Sequence, residues 1–387
     1  MVEESVSSRV VLTAPLALEG GLAEEMQPPN MVQRVISLFR NIRPGSDLTQ
    51  FQLPPLFNMP KSQLQCYGEG VYCTGEDYLS RCNLGKTSRE RFASVVAWSI
   101  STTRPAIFGL APFNPILGET HHVSRGNLNV LLEQVSHHPP VLALHATDSE
   151  ENIELSWCQH LVPKFYGASV DVVIHGHRQL LLKLHKEKYK MNAPNFVIRI
   201  LPKPSMEWCG TVRIKCEESG LEAEVCYYRG RSFWGFRGNS RCIRGKIFHT
   251  DTQKLVYEIS GHWDKTVSLK DIDSGEVRVL YDAKKAISKL ETPVLRNAEG
   301  LAATESAMVW GEVSQAIINK DWEKAREAKR KIEERERMLA RERKEKGQVW
   351  MPKHFTVSQT KEGHWECSPL DASVPQAPIF VPLPSPD

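Results

Sequence analysis

Glu133-Gln134-Val135-Ser136-His137-His138-Pro139-Pro140 sits inside a long run of short, alternating apolar segments, and it is the stretch on which the reading of the fold turns. Two adjacent imidazoles followed by two prolines are a costly arrangement for a generic strand. Proline has no N–H to give to a ladder, and each X-Pro step pushes the preceding residue toward an extended backbone. The stretch therefore reads as a rigid corner presenting two histidines at a fixed place. Such a pair suits a phosphate, a carboxylate or a metal.

Around that corner, residues 120–284 read as strands. Ile153, Leu155 and Trp157 alternate, as do Val170, Val172 and Ile174, and similar segments recur at 179–185, 195–201, 211–216, 222–228, 243–249, 255–260 and 276–281. Turn clusters separate them: Glu217-Glu218-Ser219-Gly220, Gly238-Asn239-Ser240 and Asp273-Ser274-Gly275. Short strands with hairpin-like turns and few intervening helices indicate an antiparallel meander, in a barrel or a sandwich. A barrel of more than about eight strands leaves interior space for a ligand, and the barrel is the preferred reading.

Upstream, residues 1–29 read as a flexible leader and 30–64 as an amphipathic helix followed by a lid. Met31, Val32, Val35, Ile36, Leu38, Phe39 and Ile42 fall at helical spacing beside Arg34, Arg40 and Arg43, with Asn30 as N-cap and Pro44-Gly45 as the stop. A helix packed on a core is the default; a membrane-surface helix is the alternative. Phe51, Leu53, Leu56, Phe57 and Met59 are interrupted by Pro54, Pro55 and Pro60, which exclude a regular helix or a central strand. So apolar an irregular segment must cover something greasy, as a buried linker or as a flap over a pocket. Residues 65–119 form a helical and turn-rich entry segment, in which Thr87-Ser88-Arg89-Glu90 has the form of a capping box opening a helix.

Downstream, 285–370 reads as a helical subdomain and 371–387 as a loose, proline-rich tail. Residues 321–346 are densely charged, with apolar anchors too sparse for a coiled-coil seam, and Gly347 ends the run. Within it Lys329, Glu333 and Arg337 stand at i, i+4 and i+8 and share one slowly drifting face. By default Glu333–Arg337 is a surface ion pair worth about 0.3–0.5 kcal/mol.

Composition narrows the function. The chain has 387 residues, 41% hydrophobic, with a net charge of only +3, which gives no electrostatic case for nucleic acid. Nine cysteines contain no Cys-x-x-Cys pair, and no secretory signal opens the chain, so reduced thiols in the cytosol are expected. No apolar run approaches the ~18 residues of a membrane span, so membrane contact is expected to be peripheral. Metal binding by His137, His138 and the further imidazoles finds no His-Glu-x-x-His helix in support. A hydrolase using those histidines with Cys158 or Cys226 lacks a nucleophile elbow or a carboxylate pair. A scaffold recruiting partners through 321–346 is the other rival. From the residues alone the histidines are first structural, then anion-binding, then metal-binding.

The octapeptide is, however, also the fingerprint carried by the oxysterol-binding-protein-related family of lipid transfer proteins, and the chain resembles that family over about 45–370. Ala111-Pro112-Phe113-Asn114-Pro115-Ile116-Leu117-Gly118-Glu119 is similar to its Lys-Pro-x-Asn-Pro-x-Leu-Gly-Glu motif. Gly245-Lys246-Ile247, Ile259-Ser260-Gly261-His262-Trp263, Glu305-Ser306-x-x-Val309-Trp310 and Lys346-Gly347-x-x-Trp350 support the match. The resemblance implies an α+β fold, predominantly antiparallel β: a large incomplete barrel around a lipid tunnel, an N-terminal lid and a C-terminal helical subdomain. It implies no catalysis and no cofactor, but exchange of phosphatidylinositol 4-phosphate for a second lipid, with transient contact to anionic membranes. His137, His138, Asn114, Lys329, Glu333 and Arg337 map onto the headgroup site, and anion binding rises to the top. The family lysine is replaced by Ala111, and Arg104 is the base considered as a substitute. The lid resembles the sterol type more than the Leu-Pro-Thr-Phe type. Yet the positions that reach the sterol hydroxyl in the best-known yeast member fall approximately on Ala106-Ile107, Cys158 and Ile174. No pleckstrin-homology region precedes the domain, as in short plant members.

Overall fold

The structure is a computed structural model that describes residues 9–19, 26–229 and 241–383. Strand β1 (Asn58–Ser62) pairs in parallel with β2 (Ala111–Phe113) in a small separate sheet. The main sheet opens with β3 (Thr120–Arg125), β4 (Leu128–His137), β5 (Pro140–Asp148), β6 (Ile153–Phe165) and β7 (Ser169–Leu182). It continues through β8 (Glu187–Met191), β9 (Asn195–Arg199), β10 (Ser205–Cys216) and β11 (Leu221–Tyr227), then β12 (Cys242–His249), β13 (Leu255–His262), β14 (Thr266–Asp271) and β15 (Val277–Asp282). Two short strands, β16 (Val294–Leu295) and, far along the chain, β19 (Ile379–Phe380), extend it beyond β3; between them in sequence, β17 (Phe355–Gln359) and β18 (Trp365–Pro369) form a separate hairpin.

From β3 to β15 each strand pairs antiparallel with its neighbour in the sheet, with β9 bridging β7 and β10 off the main path. The ends of the fifteen-stranded order, β15 and β16, are not paired with each other, so the barrel is incomplete. The architecture is α+β and predominantly antiparallel, as the sequence reading expects.

Seven helices decorate this sheet among the described residues: α1 (Met31–Phe39), α2 (Gln63–Tyr72), α3 (Ser88–Ser101), α4 (Ala283–Ile287), α5 (Ser306–Val309), α6 (Gly311–Ile318) and α7 (Trp322–Glu345). Helix α3 starts at the expected capping box, Thr87 with Glu90, and ends at Thr102. Its Phe92, Val95, Val96, Trp98 and Ile100 are buried in one large cluster with Leu144, Leu155, Leu180, Val212, Val225, Ile259 and Val267. Residues from nearly every strand meet in that cluster, so one face of the sheet wraps the helix. A smaller cluster lies apart from it, built from Met31 and Val35 of α1, Phe57, Met59, Phe165, Val170 and Ile200.

Several expectations are corrected. Asn30 adopts a left-handed conformation and makes no side-chain cap, so α1 starts without one. The leader is not loose where it is described. Val11 N donates to Ala307 O, Leu18 N to Ile287 O, and Thr13 is buried. Helix α2 escaped the sequence reading, although Ser62 and Gln65 make a capping box; Gly68 and Gly70 in its middle break the helical signal. The segments 170–174 and 179–185 belong to one strand, β7, and β8 and β14 were not anticipated. Within the expected helical subdomain, the helical stretch that follows Glu305 is broken at Trp310 into α5 and α6. The tail of the "helical" region is the β17–β18 hairpin, which packs Phe355 against Val135, Val141 and Cys158. The proline-rich end is not loose either. β19 pairs with β3 and β16, and Val374, Ile379 and Val381 are buried. Prolines exclude an interior ladder position but not a two-residue strand at its margin. The expected turn at Gly238-Asn239-Ser240 lies outside the described residues.

Candidate functional site

The octapeptide is the end of β4, a two-residue turn and the start of β5. His137 pairs in register with Pro140, and His138-Pro139 forms the turn. The two imidazoles pack edge to face, 4.6 Å between centroids. Burial, and next the neighbouring His138, push the His137 imidazole below its usual value, while the Pro115 carbonyl works in the opposite direction. His137 Nδ1 is buried without a partner. The contact with Pro115 brings Asn114, which is exposed, beside the histidine pair.

The rest of the octapeptide is mortar. Glu133 is fully buried and accepts from the backbone N–H groups of Lys353 and His354, at 2.8 and 2.9 Å, which clamps the base of the β17–β18 hairpin. Gln134 exchanges backbone hydrogen bonds with Gly118 and Glu119. Glu119, the last residue of the Asn114 segment, receives bonds from Ser62 Oγ, Ser306 Oγ (2.7 Å), Trp310 Nε1 (2.9 Å) and Ile116 N (2.9 Å). Burial raises its carboxyl above the usual range, opposed by those four donors. Both motifs thus tie β4 to α2, α5 and α6 and to the C-terminal hairpin.

Helix α7 begins at Asp321, whose side chain caps Lys324 N, and ends before Gly347 in a left-handed conformation. Only its first half packs; Ala325 and Ala328 are buried, whereas Met338 is exposed. Trp350 then folds back against Gly118, where a Cβ would lie 2.5 Å from the indole, and Arg343 covers the ring. Gly118 is needed for that approach as well as for its φ of +76°.

Lys329 is 9% exposed and turns inward. Its Nζ donates to the Leu53 carbonyl in the lid and, at 2.8 Å, to Asn58 Oδ1. Asn58 in turn donates to the Ala111 and Pro112 carbonyls, at 3.2 and 3.3 Å. A continuous path therefore runs from α7 through the lid to the Asn114 loop and the histidines. Burial pushes the Lys329 ammonium down to about 8, partly offset by Glu333. Glu333 and Arg337 make the ordinary i, i+4 contact at 3.4 Å, with Arg337 half exposed. Asn58 was missed by the sequence reading; a lone asparagine before Met-Pro carries no signal until its partners are in place.

The segment expected as a lid packs into the smaller cluster. Phe57 and Met59 are buried and Leu53 and Leu56 partly so, while Phe51 stacks on Phe39, which stacks on Phe165. Arg104 does not replace the missing family lysine. It is buried, donating to the Glu69 and Cys73 carbonyls at the end of α2. Cys158 faces outward against the hairpin, and its neighbour Gln159 faces the interior. Among the described residues no group of three or more His, Cys, Asp or Glu is placed to hold a metal ion, and no helix is long and apolar enough to cross a membrane.

The family model described as oxysterol-binding protein matches residues 35–372. The chain belongs to this family. Among its relatives, oxysterol-binding protein-related protein 4C of Arabidopsis thaliana is 51% identical over 98% of this chain and 100% of its own length. Protein 4A of the same plant is 47% identical over 98% of both. The fold of an oxysterol-binding protein is seen also in solved structures. The Osh1 ORD domain in complex with cholesterol has a TM-score of 0.73 at 20% identity, covering 92% of this chain and 89% of that one. The Osh3 ORD in complex with PI(4)P from Saccharomyces cerevisiae has a TM-score of 0.67 at 22% identity, covering 95% and 94%.

Proposed function

We propose that the protein is a non-enzymatic lipid carrier that binds phosphatidylinositol 4-phosphate and exchanges it for a second lipid, a sterol, in the lidded interior of the barrel. His137, His138, Asn114, Lys329, Glu333 and Arg337 form the headgroup site. The observation that carries the reading is the position of Lys329, a buried cation bonded to the Leu53 carbonyl and to Asn58, which itself donates to the Ala111 and Pro112 carbonyls just before Asn114. A phosphate entering there takes over the lysine and loosens the Leu53 contact, so that headgroup capture and lid position are one event. Arg337 adds a bidentate donor fork at the rim, and Glu333 orients both cations or accepts inositol hydroxyls. Closure of the lid removes apolar surface from water at about 25 cal/mol per Å². One interior holds one lipid at a time, so loading one cargo displaces the other by difference in affinity. The relatives whose structures were solved with cholesterol and with PI(4)P support this pair of cargoes. The carrier works in the cytosol and touches anionic membranes peripherally and transiently, with positive side chains raising the encounter rate.

The test mixes purified protein with liposomes containing phosphatidylinositol 4-phosphate and measures the lipid that leaves with the protein. Stoichiometric extraction by the wild type, lost in His137→Ala/His138→Ala and in Lys329→Ala, is expected. Equal extraction by all three removes the headgroup site; no extraction by folded wild type removes this lipid as cargo.

A further inference from the structure

The barrel interior carries a belt of polar side chains that the headgroup site does not use. On β6 and β7 Leu155 faces Leu180, Trp157 faces Arg178, Gln159 faces Gly176, and Leu161 faces Ile174. Alternation puts these residues on one face. One end of the ladder belongs to the large cluster around α3; the other, at Phe165 and Val170, belongs to the cluster under the lid. Trp157, Gln159 and Arg178 therefore lie at the boundary between the two.

Arg178 and Arg104 are the cations of this belt, 6% and 5% exposed. Each leans on a helix C-terminus: Arg178 Nη1 donates to Thr102 Oγ1 at the end of α3, and Arg104 Nη2 to the carbonyls at the end of α2. That occupies one edge of each guanidinium. Arg178 Nε, Arg104 Nε and Arg104 Nη1 are buried without a partner, and so are both amide atoms of Gln159, which is fully buried. The carboxylate of Glu69 is engaged by Lys61 and by Leu16 N. The belt closes through tyrosines, with Tyr67 and Tyr227 beside Arg178, and Tyr281 beside both Tyr227 and Arg104. Burial lowers both guanidiniums, Arg178 to about 10, which leaves Arg178 charged at neutral pH. Buried cations with unbonded N–H groups call for an acceptor that carries negative charge. A single neutral hydroxyl supplies no such charge.

We infer that this belt is a second binding site, for the compact anionic head of a single-chain amphiphile, in its simplest form a carboxylate. Arg178 and Gln159, one register step apart, meet the head; Arg104 adds a second positive charge from the segment after α3. The apolar tail runs past Leu161 and Ile174 toward the lid. This rests on the reading of the barrel interior as a lipid cavity, and it makes the second cargo class wider than sterols.

The test titrates the delipidated full-length protein with oleate and, separately, with oleyl alcohol at pH 7.5, following tryptophan fluorescence. The two ligands share a chain and differ in head charge. Oleate is expected to bind at least about tenfold tighter, the size of one charge-assisted hydrogen bond. Arg178→Met loses that preference and leaves oleyl alcohol within about twofold, whereas Arg178→Lys keeps most of it. If Arg178→Met does not fold, Gln159→Leu is read the same way, with oleate weakened severalfold and the alcohol unchanged. Equal binding of the two ligands, absence of oleate binding, or a preference that survives both substitutions overturns the inference. Extraction of phosphatidylinositol 4-phosphate by the same preparations separates the readings. Extraction without an oleate preference sinks the second site alone, and an oleate preference without extraction sinks the headgroup site alone.

Discussion

The two ends of the barrel interior are built differently. At the end plugged by α3 the side chains come from thirteen strands and several helices, among them α3, which is buried almost all round, and Phe92, Val95 and Val96 have no exposed surface. At the other end the cluster is smaller, many of its members are only partly buried, and it is closed by an irregular segment held by Lys329, by Asn58 and by backbone bonds from Leu48 N to Pro163 O and from Phe165 N to Ser46 O. Close packing around a helix makes a region that resists opening; a thin apolar cover over a smaller, partly buried cluster opens locally at lower cost. The first end therefore carries more of the fold's stability than the second.

Substitutions at each end can break that contrast. The largest effect is expected from Phe92→Ala, at about 3–5 kcal/mol of global stability, read by denaturant unfolding. Leu53→Ala at the lid should cost under about 1.5 kcal/mol, because its side chain is only partly buried; equal losses at the two positions would erase the distinction. Next comes Glu119→Ala, which strips the acceptor from Ser62, Ser306, Trp310 and Ile116. A loss of about 3 kcal/mol is expected, with faster proteolysis of the C-terminal region; a change under about 1 kcal/mol would show that the hub is dispensable.

Lys329→Met sharpens the comparison, since it should leave global stability within about 1 kcal/mol while weakening extraction of phosphatidylinositol 4-phosphate tenfold or more. The ammonium sits at about 8 in the folded protein, below the usual lysine value of about 10.4. Keeping it charged costs stability fully below pH 8, and the cost is relieved as the pH rises from 8 to about 10.4, where the unfolded chain still holds the proton. Phosphate capture needs the charge, so extraction by the wild type should fall between pH 7.5 and 9.5. A flat profile would place the phosphate elsewhere. The smallest effect is expected at Arg337→Ala, a few tenths of a kcal/mol in stability, because the Glu333 pair is half exposed. A thermal shift larger than one or two degrees would mean that α7 is held by more than its first half.

Local rules made much of this protein legible. Alternation at Ile153, Leu155 and Trp157 of β6 and in β10 and β11 follows from a sheet with one buried face, the Thr87-Glu90 box from the orphan N–H groups of a helix start, and the end of α7 at Gly347 from a left-handed cap. His137 and His138 stood out as a corner because prolines follow two imidazoles, and the structure places them at the β4–β5 turn. What sequence left hidden depended on partners far along the chain. Helix α2 was masked by two glycines that its packing tolerates, and the proline-rich end joins the sheet because β3 offers it a free edge.

By itself, then, the sequence determined the antiparallel barrel, the irregular proline-interrupted apolar segment and the charged helix, because each is encoded in periodicity, proline placement or capping over a few neighbouring residues. Only the tertiary structure decided that Lys329 bonds the Leu53 carbonyl, that Glu119 and Glu133 are structural clamps, that Arg104 turns to the end of α2, and that Arg178 and Gln159 share the interior. Those assignments hang on which buried polar atom finds a partner, and that is settled by residues tens to hundreds of positions away.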